Sequence, residues 1–170
     1  MNHFQEIAFE EFNGNPFTML MKDGMLFTAK DHERVNAMAA AWGGFGVLWD
    51  KYVVYGFIRP QRYTRELVDA SDSFSLTFFE KCYRDTVVYF GSVSGRDEDK
   101  IAKSGLTVAY DDDTPYFAEG NLVFICKKIY GDKVNPNAIL DPAIKEMMYQ
   151  KSDFHHVYVG EIVKILQKSN

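Results

Sequence analysis

Residues 52–64 read Y-V-V-Y-G-F-I-R-P-Q-R-Y-T. The run Tyr52–Ile58 is apolar and rich in aromatic and β-branched side chains, which predicts a buried strand. Arg59-Pro60 stops it, because proline brings no N–H to a ladder and restricts the residue before it. Tyr63–Ala70 then predicts a short helix. The strand therefore hands over to a helix at a corner that carries Arg59, Arg62, Tyr63 and Thr64. Two guanidiniums, hydroxyls and free N–H groups at a helix start can hold a phosphate. Taken alone, the same corner also reads as a solvated loop with two surface arginines, and on spacing alone that reading is the commoner one.

Working outward, Val35–Trp42 carries three consecutive alanines, and the glycine pair Gly43-Gly44 favours an extended strand ending in a tight loop. Phe17–Met21 and Met25–Ala29 predict two strands joined by a hairpin at Lys22-Asp23-Gly24. Phe74–Phe79, Asn121–Ile129 and His156–Gln167 predict further strands. Asp85–Phe90, Asp97–Ser104 and Pro142–Tyr149 predict helices, the second closed by Gly105 and the third opened by Asp141. About six strands with short helices between them, and no regular βαβ alternation, predict a mainly β fold that hides its edges in an antiparallel barrel. With 170 residues the chain forms a single domain over 1–170, large enough to bury about 70% of its surface and to hold a ligand pocket.

Apolar residues are 46%, charged residues 25% and the net charge is −5. This composition excludes a disordered chain, and the acidic balance argues against nonspecific nucleic-acid binding and against docking on anionic membranes. A single phosphate held by local arginines stays compatible with it. No apolar run reaches the length of a transmembrane helix, and the N-terminus lacks a basic segment followed by an apolar one. Cys82 and Cys126 form no C-x-x-C or metal pattern, so both are expected to be reduced, half-buried strand residues in a cytoplasmic protein.

Three further segments carry chemistry. Asn36–Gly44 (N-A-M-A-A-A-W-G-G) is a string of small side chains beside Trp42, against which a flat ring could lie, or else a tightly packed strand. Ser94–Lys100 (S-G-R-D-E-D-K) is a possible anion seat before a helix, or a plain helix start with exposed charges. His155-His156 points its two rings to opposite strand faces and makes a poor metal chelate, so no metal is expected. One of the pair can line a pocket. No Ser-His-Asp order, H-E-x-x-H, phosphate-loop or dinucleotide-fold fingerprint is present.

In order and spacing, N-A-M-A-A-A-W-G, I-R-P-Q-R-Y-T, S-G-R-D-E-D-K and H-H-V-Y-V-G-E-I resemble the flavin reductase-like family, the FMN-binding split barrels that include flavoredoxins and NAD(P)H:flavin oxidoreductases. The resemblance covers Pro16 to Leu166. It implies a six-stranded antiparallel split β-barrel with Greek-key connectivity, a homodimer, and FMN near the subunit interface. By position it implies that Arg59, Arg62, Tyr63 and Thr64 surround the phosphate and ribityl chain, with Ser94 and Lys100 completing the grip. Ala39, Ala40, Ala41 and Trp42 would face the isoalloxazine. His155 matches a family histidine five residues before Gly160-Glu161 and would serve catalysis, close to the flavin or the approach of the nicotinamide.

The implied activity is hydride uptake from NADH or NADPH by bound FMN and delivery of electrons to an acceptor, which can be a redox partner protein; the hydride chemistry belongs to the cofactor. One departure bears on this. The family often has Thr and Ser where this chain has Ala39 and Ala41, so hydroxyls near the reactive edge of the ring are missing. A flavin-binding electron carrier or sensor without nicotinamide turnover, like flavoredoxin, is the alternative. A dimeric module for another phosphorylated or tetrapyrrole ligand is a third reading.

Overall fold

A computed structural model describes residues 4–32 and 34–169. Among the described residues ten strands form, β1 (Phe4–Ile7), β2 (Met25–Asp31), β3 (Arg34–Ala40), β4 (Gly43–Leu48), β5 (Lys51–Ile58), β6 (Ser73–Phe78), β7 (Val108–Asp111), β8 (Thr114–Phe117), β9 (Leu122–Lys133) and β10 (His156–Lys168). Eight make one antiparallel sheet in the order β3-β2-β6-β9-β10-β5-β4, with β1 added on β10, and β7 pairs with β8. The mainly β, antiparallel split-barrel class expected from sequence is what forms, with more strands than the six anticipated. The first and last strands of the path, β3 and β4, are consecutive in the chain and joined by Ala41-Trp42 alone. The split in the barrel therefore falls at Trp42.

Strand alternation fills the barrel. On β5, Val54 and Ile58 face inward and join Phe27, Phe74, Phe124 and Ile162 in the main core. Phe27 and Phe74 stack with ring centroids 4.5 Å apart. This pair explains two glycines in otherwise apolar strands. A Cβ on Gly56 would lie 2.4 Å from Phe27, and one on Gly160 would lie 2.5 Å from Phe74. A second core, with Leu26, Ala37, Phe90 and Phe117, lies on the other face of β2 and β3. The helices are α1 (Pro16–Thr18), α2 (Tyr63–Ala70), α3 (Arg84–Ser92), α4 (Lys100–Ser104) and α5 (Pro142–Met148). Val87 and Phe90 of α3 bury against the second core.

Several local expectations are corrected. Phe17–Met21 is helical, because Asn15 caps the turn through Phe17 N–H and Thr18 N–H while Pro16 takes the first position. A π turn, Met19–Asp23, follows and ends at Gly24 with φ of 72°, so Asp23-Gly24 closes a helix and makes no hairpin. Gly43 and Gly44 lie inside β4, paired with Gly56 and Tyr55, and form no loop. The helix expected from Asp97 starts at Lys100, with the Asp99 carboxylate accepting from Ala102 N–H as its cap and Gly105 closing it in the left-handed region. Cys82 sits exposed on a 3-10 turn (Lys81–Tyr83), while Cys126 is wholly buried on β9. Neither is half-buried.

Candidate functional site

Register brings the candidate residues together. β10 pairs with β5 so that His156 faces Ile58. The residues just beyond that pair, His155 and Arg59, therefore leave the ladder side by side at one end of the barrel. Pro60 ends β5 there, the Arg62 N–H bonds back to the Arg59 carbonyl at 3.1 Å, and α2 begins.

A cavity of about 390 Å³ opens between this corner and residues 92–100, lined among others by Arg59, Arg62, Tyr63, Thr64, Ser94 and Lys100. All six residues expected around the phosphate thus share one cavity. Arg62 donates to the Gly91 carbonyl at 2.8 Å. Lys100 is 3% exposed and donates to the carbonyls of Phe90 and Val93, each at 3.1 Å. An ammonium has three N–H groups, so one remains for a ligand. Burial first, and the charge of Arg62 second, push the Lys100 pKa down to about 8. Neither Arg62 nor Lys100 pairs with a carboxylate among the described residues. Asp97 also lines the cavity.

The other members are held more firmly. Arg59 pairs with Asp153 at 2.5 Å and donates to the Met148 carbonyl at 3.1 Å. Thr64 is buried, and its hydroxyl accepts from Asn36 Nδ2 at 2.9 Å, leaving its own proton free to donate. Tyr63 accepts from Arg34 through its hydroxyl, and the Arg96 guanidinium lies 4.9 Å from its ring centre. The Ser94 hydroxyl accepts from Arg96 N–H at 3.1 Å.

Beside the cavity stands an aromatic wall. Trp42 is 42% exposed, and its ring centre lies 4.7 Å from that of His155. His155 is buried, and its Nδ1 lies 3.0 Å from the Tyr149 hydroxyl. Burial, and then the nearby Arg59, lower its pKa to about 4 against the opposing pull of Asp153. The imidazole is therefore neutral at pH 7. The Arg59 guanidinium lies 5.6 Å from the Tyr149 ring centre. Arg59, Tyr149, His155 and Trp42 thus connect the cavity to the split in the barrel.

The four residues Ala39–Trp42 do not act as one surface. Successive strand residues point to opposite faces. Ala40 is packed in the barrel core, Ala39 packs on the second core, and Ala41 is exposed beside Trp42. The expectation that all four face a ring is corrected, and the Ala40 side chain in particular is turned away. Next to Trp42, an apolar hollow of about 670 Å³ is lined by Ala41, Trp42, Phe17 and Met21 among others. Phe17 and Met21 are each 82% exposed.

Sequence reasoning missed Asn36, Tyr149 and Asp153 as members of the site. Asn36 lay inside a quoted motif, the one polar side chain in a run of small apolar ones. Tyr149 and Asp153 lie after a helix, and nothing in their spacing marks them.

A comparison with known families decides the relationship. The flavin reductase like domain matches residues 23–170. The chain belongs to the flavin reductase-like family. Solved structures of similar fold agree. An FMN-binding domain of a flavin reductases-like enzyme from Shewanella baltica aligns with a TM-score of 0.71 at 18% identity, covering 98% of this chain and 78% of that one. An FMN-binding protein from Thermus thermophilus, with p-hydroxybenzaldehyde bound, gives 0.69 at 20% identity, over 96% of this chain and 81% of its own. Flavoredoxin of Desulfovibrio vulgaris (Miyazaki F) gives 0.65 at 24% identity, over 84% and 67% respectively. Among curated proteins none matches the sequence. No helix of this family member is long and apolar enough to cross a membrane, among the described residues.

Proposed function

We propose that this chain binds FMN and works as an oxidoreductase, taking hydride from NADH or NADPH and passing electrons to an acceptor. The observation that carries the reading is the pair Arg62 and Lys100, two cations without a carboxylate partner among the described residues, in a cavity whose Arg59 leads through Tyr149 to the Trp42–His155 wall. A phosphate supplies the charge they lack. The donor set fits such a group: the guanidiniums of Arg59 and Arg62, the third Lys100 N–H, and the Thr64 and Ser94 hydroxyls. Tyr63, whose hydroxyl accepts from Arg34 and whose ring lies against Arg96, would wall the ribityl path.

FMN when bound supplies the hydride acceptor and the electron store. The chain's own residues bind, orient and exclude water. Arg62 and Lys100 would hold the phosphate, and Trp42 would line the ring site. His155, neutral at pH 7, would offer a hydrogen bond to the ring ligand and take no part as an acid. The exposed apolar residues Phe17 and Met21, beside Trp42, favour a homodimer in which a second subunit covers the split. The carrier reading draws on one feature, the absence of a hydroxyl at Ala41, exposed beside Trp42, which would leave only the backbone of that residue to tune a ring there.

The deciding experiment is the visible spectrum of protein loaded with FMN, followed by NADH or NADPH without oxygen. Bleaching of the flavin band is expected. A stable bound flavin that neither nicotinamide bleaches contradicts the reductase reading and leaves the carrier.

A further inference from the structure

Among the described residues, one of the two ring nitrogens of His155 has a partner and the other has none. Nδ1 lies 3.0 Å from the Tyr149 hydroxyl. Nε2 has none among the described residues, yet the sealed, unpartnered side-chain polar atoms belong to Thr28, Thr77 and Asn121. His155 as a residue is 6% exposed, so its small accessible area leaves room for Nε2 to open outward beside Trp42. An imidazole nitrogen is a strong acceptor, whereas a phenol oxygen is a weak acceptor and a good donor. The favoured pairing is therefore tyrosine O–H to Nδ1. In a neutral imidazole that pairing leaves the proton on Nε2.

Tyr149 is itself held in place. It stacks on Phe154 at 4.6 Å, and the Arg59 guanidinium lies over its ring. The preceding carbonyl, Met148, accepts from Arg59. The phenol thus reaches His155 from a segment pinned to the same arginine that lines the phosphate cavity.

We propose that Tyr149 is a positioning residue: its phenol donates to His155 Nδ1, fixes the Nε2–H tautomer, and makes the imidazole a one-way hydrogen-bond donor beside Trp42. The group it fits is an acceptor atom on the ring ligand. The ligand part rests on the FMN reading above; the tautomer does not.

The test therefore starts without flavin. Long-range proton–nitrogen spectra of the ligand-free protein at pH 7 report the tautomer of His155, assigned with His155→Gln. The wild type is expected to hold the proton on Nε2, and Tyr149→Phe, which keeps the stacked ring, is expected to show exchange between both tautomers. A wild-type proton on Nδ1, or a Tyr149→Phe spectrum unchanged from wild type, overturns the proposal. With FMN loaded, Tyr149→Phe should slow reduction by NADH by about 3- to 10-fold with FMN affinity kept. In a His155→Gln background, where an amide N–H replaces Nε2–H and no tautomer needs fixing, the same change should cost nothing further. An equal cost in both backgrounds contradicts the positioning role. If the wild type takes up no FMN, the proposed function fails while the nitrogen spectra still decide on Tyr149.

Discussion

The phosphate cavity and the Trp42 wall share Arg59, but they are built differently. The cavity draws four of its six expected members from the corner 59–64 and the other two from 94–100. Its two cations, unmatched among the described residues, are costly without a ligand, since Lys100 is buried on carbonyls with Arg62 for a neighbour. The wall gathers Trp42 from one stretch and Tyr149 and His155 from another far along the chain, and each already has a partner within the chain. The cavity is thus arranged to bind, and the wall is arranged to orient. Binding energy should be sensitive to the first region and reaction rate to the second.

The largest effect is expected from the cavity. Arg62→Ala removes a charged donor, which should weaken FMN binding by about 1.5–3 kcal/mol, on calorimetric titration. An effect of that size on reduction rate with affinity intact would reverse the assignment of the two regions.

Lys100 sharpens the contrast through pH. Its folded-state pKa, about 8, lies below the ordinary value of 10.5. A phosphate favours the protonated amine, so FMN affinity should fall by up to about tenfold per pH unit above pH 8. Stability without ligand runs the other way. Below pH 8 the lysine is charged in both folded and unfolded states and its burial costs stability; as pH rises from 8 toward 10.5 the folded chain sheds the proton first and the cost is relieved. Lys100→Met should flatten both dependences. FMN titrations and urea melts between pH 7 and 10 measure them, and parallel pH trends in the two would break the account.

At the wall the expected effects are smaller. His155→Ala should leave the fold and most FMN affinity in place and slow reduction by NADH about 10-fold, or about 1.4 kcal/mol of transition-state stabilisation. His156→Ala, on the opposite strand face, should react like wild type. Stopped-flow rates separate the two, and equal rates would remove His155 from the site.

The difference between the regions also decides how much of each is legible in the sequence. The corner 59–64 is local: proline stops β5, a helix starts, and the cations fall between, so Arg59, Arg62, Tyr63 and Thr64 are readable as a unit. Lys100 is readable as a member but not as a buried amine, because burial depends on how α3 ends against it. At the wall, Trp42 and His155 are each visible, but their tilted 4.7 Å contact follows from the β5–β10 register and the split between β3 and β4. Tyr149 carries no local mark. The alanine run misleads because its composition suggests one flat surface, while the period of a strand sends Ala39 and Ala40 to opposite cores. Asp23-Gly24 misleads for a related reason: the same dipeptide that favours a hairpin also ends a helix, and Asn15-Pro16 had already started one.

The central claim is that the cavity holds a terminal phosphate. Calorimetric titration of the wild-type protein at pH 7 with FMN and with riboflavin, which differ by that phosphate alone, tests it most directly. FMN should bind at least about tenfold more tightly, the loss of one charged hydrogen-bonding partner at the low end. Equal affinity for riboflavin would contradict the assignment of Arg62 and Lys100 as a phosphate site.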